Sequence, residues 1–163
     1  MRLFFYGTLI DPEILQAVLR RRVDRSCRCR AVLAGYRRVF RRGAVYPVLV
    51  PADGARVEGV LVHRLSARDV ARLSAYEGKD YRLAPISVNL GAGRSVSAQA
   101  FLPVEGCEPT SIEWRPAYWR RRYRRQYVLR VIRRRQPAAA ALHRVRSPGI
   151  SAGHAEQGRE HPR

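Results

Sequence analysis

Between Cys27 and Val62, and again between Arg82 and Leu102, β-prone runs follow one another through bends too short to hold a crossover helix. Most neighbouring strands must therefore pair antiparallel, which argues against a regularly alternating parallel sheet. The runs are Ala31 to Tyr36, Val39-Phe40, Tyr46 to Val50 and Val57 to Val62, with Gly35, Arg42-Gly43 and Ala52-Asp53-Gly54 as bends. Pro47 lacks an N–H to donate to a ladder, so its strand starts there or sits at an edge. Residues 82–90 and 94–102 face each other across Gly91-Ala92-Gly93. Earlier, residues 2–6 read as a short buried strand that Gly7-Thr8 ends abruptly. The expected fold class is α+β: a small curled mixed β-sheet or β-barrel with flanking helices.

Helices are inserted at three places. Asp11-Pro12-Glu13 supplies an N-cap, a proline at the first helical position and an acid in the first turn, and Ile14, Leu15, Val18 and Leu19 recur at helical spacing over residues 12–21. Ser66-Ala67-Arg68-Asp69 is a capping box that opens a helix bearing Leu65, Val70 and Leu73, with Gly78 as its stop. After Trp114-Arg115-Pro116, Trp119, Tyr123, Tyr127 and Val131 lie four apart and predict one helix over 116–134 whose aromatic stripe covers an edge of the domain. The organisation expected is a catalytic domain over 1–113, an arginine-rich helix over 114–136 and a disordered tail over 137–163, where apolar periodicity stops.

The apolar content of 46% in 163 residues suits one domain with a proper core. No apolar run approaches the roughly 20 residues that cross a bilayer, so neither a membrane partner nor a leader is expected, and the chain is placed in the cytoplasm. Cys27, Cys29 and Cys107 form no even disulfide framework and, with His63, His143, His154 and His161, no metal-ligand spacing, so neither a metal nor another cofactor is expected. A net charge of +19 normally points to polyanions. Here 14 arginines against two glutamates follow Trp114, so most of the excess lies outside the first 113 residues.

Two places carry residues suited to chemistry. Tyr6-Gly7-Thr8-Leu9 sets a glycine and a hydroxyl between a strand and a capped helix, where unpaired N–H groups favour an anion; a tight turn needing glycine is the bland alternative. Glu77 ends a helix whose dipole disfavours negative charge, beside Tyr76 and Gly78, and this raises its proton affinity toward general-base use. A solvated helix-end glutamate paired with Lys79 or Arg82 is the alternative, and Asp80 is a weaker carboxylate candidate in a charged loop.

The ordered set Phe5-Tyr6-Gly7-Thr8-Leu9, Tyr46-Pro47-Val48-Leu49-Val50, Val57-Glu58-Gly59-Val60, Tyr76-Glu77-Gly78 and Tyr81-Arg82 resembles the gamma-glutamylcyclotransferase-like family over roughly residues 1–105. The resemblance implies a small β-barrel with a cavity in which Tyr6, Gly7, Thr8 and Leu9 bind a γ-glutamyl group and Glu77 is the catalytic acid/base. It further implies a small-molecule γ-glutamyl substrate, cyclised to 5-oxoproline with release of an amine or amino acid, without metal or nucleotide. Tyr81 is a substrate-binding or orienting candidate, with a packed strand aromatic as its alternative. The family's frequent aspartate ahead of the glutamate is replaced by Ser74, which removes a supporting hydrogen bond. An inactive family member is one alternative. A second is a nucleic-acid-binding module in which Arg120 to Arg125 and Arg133 to Arg135, near Trp119 and Tyr127, bind phosphates without sequence preference. Oligomeric state is not legible.

Overall fold

The computed structural model describes residues 1–135, so the expected tail lies outside the described residues. Six strands run in the order β3-β1-β5-β4-β2-β6, and a second pairing of β2 with β3 closes the first five into a ring. They are β1 (Leu3–Phe5), β2 (Arg28–Arg41), β3 (Pro47–Val62), β4 (Tyr81–Asn89), β5 (Ser95–Pro103) and β6 (Pro109–Glu113). Only β1 and β5 pair parallel within this ring. The result is the mixed barrel that the short connections predict. Flanking it are α1 (Pro12–Leu19), α2 (Ala67–Glu77), α3 (Pro116–Arg122) and α4 (Arg124–Arg135).

Period-2 alternation in β1 divides the core. Phe4 and Tyr6 point into one buried cluster with Leu33, Leu49, Val57, Leu61, Val88 and Ala100, while Leu3 and Phe5 point into another with Ile14, Leu15, Leu19, Leu73 and Trp119. The first fills the barrel and the second glues α1, α2, α3 and α4 to its wall. Gly59 is what lets β1 lie so close to β3: a Cβ there would come within 2.4 Å of the Phe5 carbonyl oxygen and 2.5 Å of the Phe4 ring.

Local signals are realised closely at several helix ends. The Asp11 carboxylate accepts from the N–H groups of Glu13 and Ile14, at 3.0 and 3.4 Å, and Pro12 opens α1. Ser66 and Asp69 form the reciprocal capping box of α2, and Gly78 ends it at φ 70°. Four expectations need correction. Helix α1 stops at Leu19, because Arg20 turns into the left-handed region. The two β runs 46–50 and 57–62 are one strand, β3, since the expected turn at Ala52-Asp53-Gly54 is absorbed as a register shift opposite Gly35. Residues 109–113 form β6, which the sequence reading left out; its pairing to β2 at Val39 and Arg41 supplies the missing signal, one that is entirely non-local. Lastly, the C-terminal helix is broken at Tyr123 into α3 and α4.

Those two helices also do more than cover an edge. Trp114, Trp119, Val128 and Val131 are buried in the same cluster as α1 and α2. Arg124 donates to both Asp11 and Glu13, so the beginnings of α1 and α4 are pinned together.

Candidate active site

The end of β1, the turn after it, the C-terminal half of α2 and one face of α4 border an open cavity of about 800 Å³. Tyr6, Gly7, Thr8, Leu9, Glu77 and Tyr81, far apart in sequence, all line it. After β1 the chain makes a 3-10 turn, Thr8–Ile10, in which Ile10 and Asp11 donate back to Gly7 and Thr8. The first N–H groups of such a turn have no partner within it, so those of Thr8 and Leu9 are the donors available there. Arg38, half-buried, holds the strand end in place by donating to the carbonyls of Tyr6 and Glu58, both at 2.9 Å, while stacking 5.6 Å from the Trp114 ring centre.

Glu77 is the last residue of α2 and the one carboxylate on the cavity wall. Burial pushes its pKa up from 4.5 to about 8, and among the described residues no cation or hydrogen-bond donor pulls it back. A group at that value is roughly one-tenth ionised at pH 7, which keeps both proton acceptance and proton return accessible. Neither Lys79 nor Arg82 forms an ion pair with it among the described residues. Asp80 is different: it pairs with Arg41 at 3.0 Å and is thereby occupied.

The tyrosines divide by what their hydroxyls do. Tyr6 donates to the carbonyl of Phe101, and Tyr81 donates to that of Pro47 at 3.0 Å. Both hydroxyl protons are spent on the backbone, so these rings act as walls whose oxygens can still accept. The Tyr81 hydroxyl faces a carbonyl instead of the Glu77 carboxylate. Thr8 lies 3.2 Å from the Tyr76 hydroxyl, which lies 3.0 Å from that of Tyr127. This hydroxyl chain ties the turn, α2 and α4 together at the cavity. Leu9, although it lines the cavity, is 3% exposed and belongs mainly to the helix-side core.

Sequence reasoning does not single out Tyr127 and Arg130 as cavity-lining residues, or Arg38 as the side chain that anchors the end of β1. Tyr127 was visible only as part of a four-spaced stripe, a pattern that predicts packing. The further signal lies in the third dimension: residues 72, 75 and 76 of α2 and 127, 130 and 131 of α4 present one helical face each to the same cavity.

Comparison with known proteins accords with this fold. The family model described as gamma-glutamyl cyclotransferase, AIG2-like, matches residues 3–121. Among curated proteins of Arabidopsis thaliana, Protein AIG2 C is 28% identical over 119 residues, which is 72% of this chain and 70% of that protein. AIG2-like protein A is 23% identical over 127 residues, covering 77% and 75%. A solution structure from the same plant superposes with a TM-score of 0.61 at 23% identity, covering 94% of each chain. A structure named gamma-glutamyl cyclotransferase superposes at 0.53 with 13% identity, covering 96% of this chain and 93% of that one. At these identities the superpositions speak to the fold alone.

Proposed function

The chain belongs to the gamma-glutamyl cyclotransferase, AIG2-like family, and from that premise we propose that it cyclises a γ-glutamyl amide or peptide to 5-oxoproline, with Glu77 as general acid/base. The observation that carries this reading is a half-buried carboxyl with a raised pKa and no ion-pair partner among the described residues, on the same cavity as the Gly7-Thr8-Leu9 turn.

The substrate's α-ammonium cannot attack until it loses a proton, and the Glu77 carboxylate takes it. The free amine then attacks the γ-carbonyl carbon, closing a five-membered ring. As the bond from that carbon to the leaving nitrogen breaks, Glu77 passes protons from the attacking nitrogen to the departing one. Of the three ammonium protons, one stays on the lactam nitrogen and two leave with the amine, which departs as an ammonium ion. Glu77 ends as it began. The N–H groups of Thr8 and Leu9 are suited to hold the substrate's α-carboxylate or the oxygen that gains charge, and contacts with the cavity wall hold the substrate in its cyclising conformer.

A panel of γ-glutamyl dipeptides, glutathione and γ-glutamyl amines, assayed for 5-oxoproline, tests the reading. Stoichiometric 5-oxoproline and amine from at least one member supports it. Absence of product across the panel, with the fold intact, removes it.

A further inference from the structure

The starts of α1 and α4 lie side by side, pinned by the contacts of Arg124 with Asp11 and Glu13. Farther along, Ala17, Val18 and Arg20 at the end of α1 and Tyr127, Arg130 and Val131 of α4 line one cavity. Arg20 sits there in the left-handed conformation that terminates α1. Arg72 of α2 reaches the same place and donates to the carbonyl of Leu19. All three guanidinium-bearing residues line the cavity that Glu77 lines.

One N–H of Arg72 is used to cap α1, which accounts for part of this clustering. The rest is not explained by the helix end. Arg20 and Arg130 donate to no acceptor and pair with no carboxylate among the described residues, and each guanidinium has five donors. Against the three cations the wall carries, among the described residues, a single acid, Glu77. A γ-glutamyl group brings an α-carboxylate and an α-ammonium, which cancel, so it does not balance this excess. Arg72 lies five residues before Glu77 on α2, about 7.5 Å along the axis, and Arg130 lies one turn beyond Tyr127 on α4. On the cyclisation reading, with the reacting carbon beside Glu77, that axial offset leaves these cations for the departing portion of the substrate.

We infer that Arg20, Arg72 and Arg130 form a subsite for an anionic leaving portion, so that the chain prefers γ-glutamyl compounds whose released amine carries carboxylates. The inference rests on the cyclisation reading for the orientation of the substrate. It makes the arginine-rich C-terminal segment part of the specificity apparatus, since Arg130 falls beyond residues 3–121 that match the family. A released acidic amino acid has two carboxylates to offer the three guanidinium groups, a neutral amino acid one and an alkylamine none. The preference should follow that order.

The test compares kcat/KM for γ-glutamyl-glutamate, γ-glutamyl-alanine and γ-glutamyl-butylamide, with wild-type protein and with Arg130→Ala and Arg130→Glu, at low and high salt. Arg130 is solvent-exposed, so the fold tolerates both changes. The expected result is a preference of about tenfold or more for the acidic dipeptide over the butylamide, reduced by salt, by Arg130→Ala and most by Arg130→Glu, through KM. Equal rates in the wild-type protein, or a ratio that Arg130→Glu leaves unchanged, would overturn the inference. Should no compound yield 5-oxoproline, the cyclisation reading fails, and calorimetric binding of the same three compounds decides the subsite separately. Tighter binding of the acidic dipeptide, weakened by Arg130→Glu, upholds it; equal or absent binding overturns it.

Discussion

The hydroxyl of Tyr127 lies 3.0 Å from that of Tyr76, whose own oxygen lies 3.2 Å from Thr8, so a helix near the chain's C-terminal end closes a site begun by its first strand. Tyr127→Phe removes one link of this hydroxyl chain and keeps the ring. It should cost about 1 kcal/mol in urea unfolding. Tyr127→Ala also empties part of the helix-side core and should cost about 3 kcal/mol. Equal losses for the two variants would mean that ring packing contributes nothing.

Gly59 tests the barrel's closure. Because a Cβ there meets backbone oxygen and an aromatic ring at under 3 Å, Gly59→Ala has to push β1 away from β3. A destabilisation of about 2 to 3 kcal/mol is expected. Gly54→Ala makes a useful comparison: nothing lies within 4 Å of the added atom and only its φ of +72° opposes it, so about 1 kcal/mol should be lost. Thermal or urea denaturation of both variants reads the difference.

Asp69 ties α2 to the end of α1. Its carboxylate accepts from Arg21 at 2.7 and 3.0 Å and from the N–H and hydroxyl of Ser66, and these contacts, Arg21 first, hold its pKa far below the usual 3.8. A depressed folded pKa gives stability that is fully present above the unfolded value and disappears as pH falls below it. Asp69→Asn should therefore lose about 2 kcal/mol at pH 7, a figure reduced for the half-exposed Arg21, and much less at pH 2. Urea unfolding at the two pH values measures this.

Glu77 has the opposite sign. Its folded pKa of about 8 lies above the unfolded 4.5, so the unfolded chain releases the proton first and stability falls as pH rises between those values. Relative to the wild type, Glu77→Gln should gain stability across that window at up to about 1.4 kcal/mol per pH unit, then level off above pH 8. A constant difference from pH 5 to pH 9 would show that the carboxyl titrates normally.

Much of this site was legible because its pieces are short-range. Asp11-Pro12, the Ser66 capping box and Gly78 each fix a helix end within four residues, and these ends aim the Thr8 turn and Glu77. What the sequence hid depends on partners distant along the chain. Residues 109–113 become a strand only because β2 offers an edge, and β3 runs through its bend because Gly35 opposite absorbs the mismatch. Likewise Tyr127 and Arg130 face the cavity because Arg124 finds Asp11, 113 positions earlier. A helical stripe announces that a face is buried without saying against what.

The most direct test is 5-oxoproline formation under single-turnover conditions by wild-type protein and Glu77→Gln, at pH 8, with a substrate that the wild type cyclises. Removal of a positioned acid/base predicts a rate lower by about a hundredfold to ten-thousandfold, with the folded structure retained. A variant that cyclises within about twofold of the wild-type rate would contradict the assignment of Glu77, since a loss that small is far below what a proton-transferring group contributes.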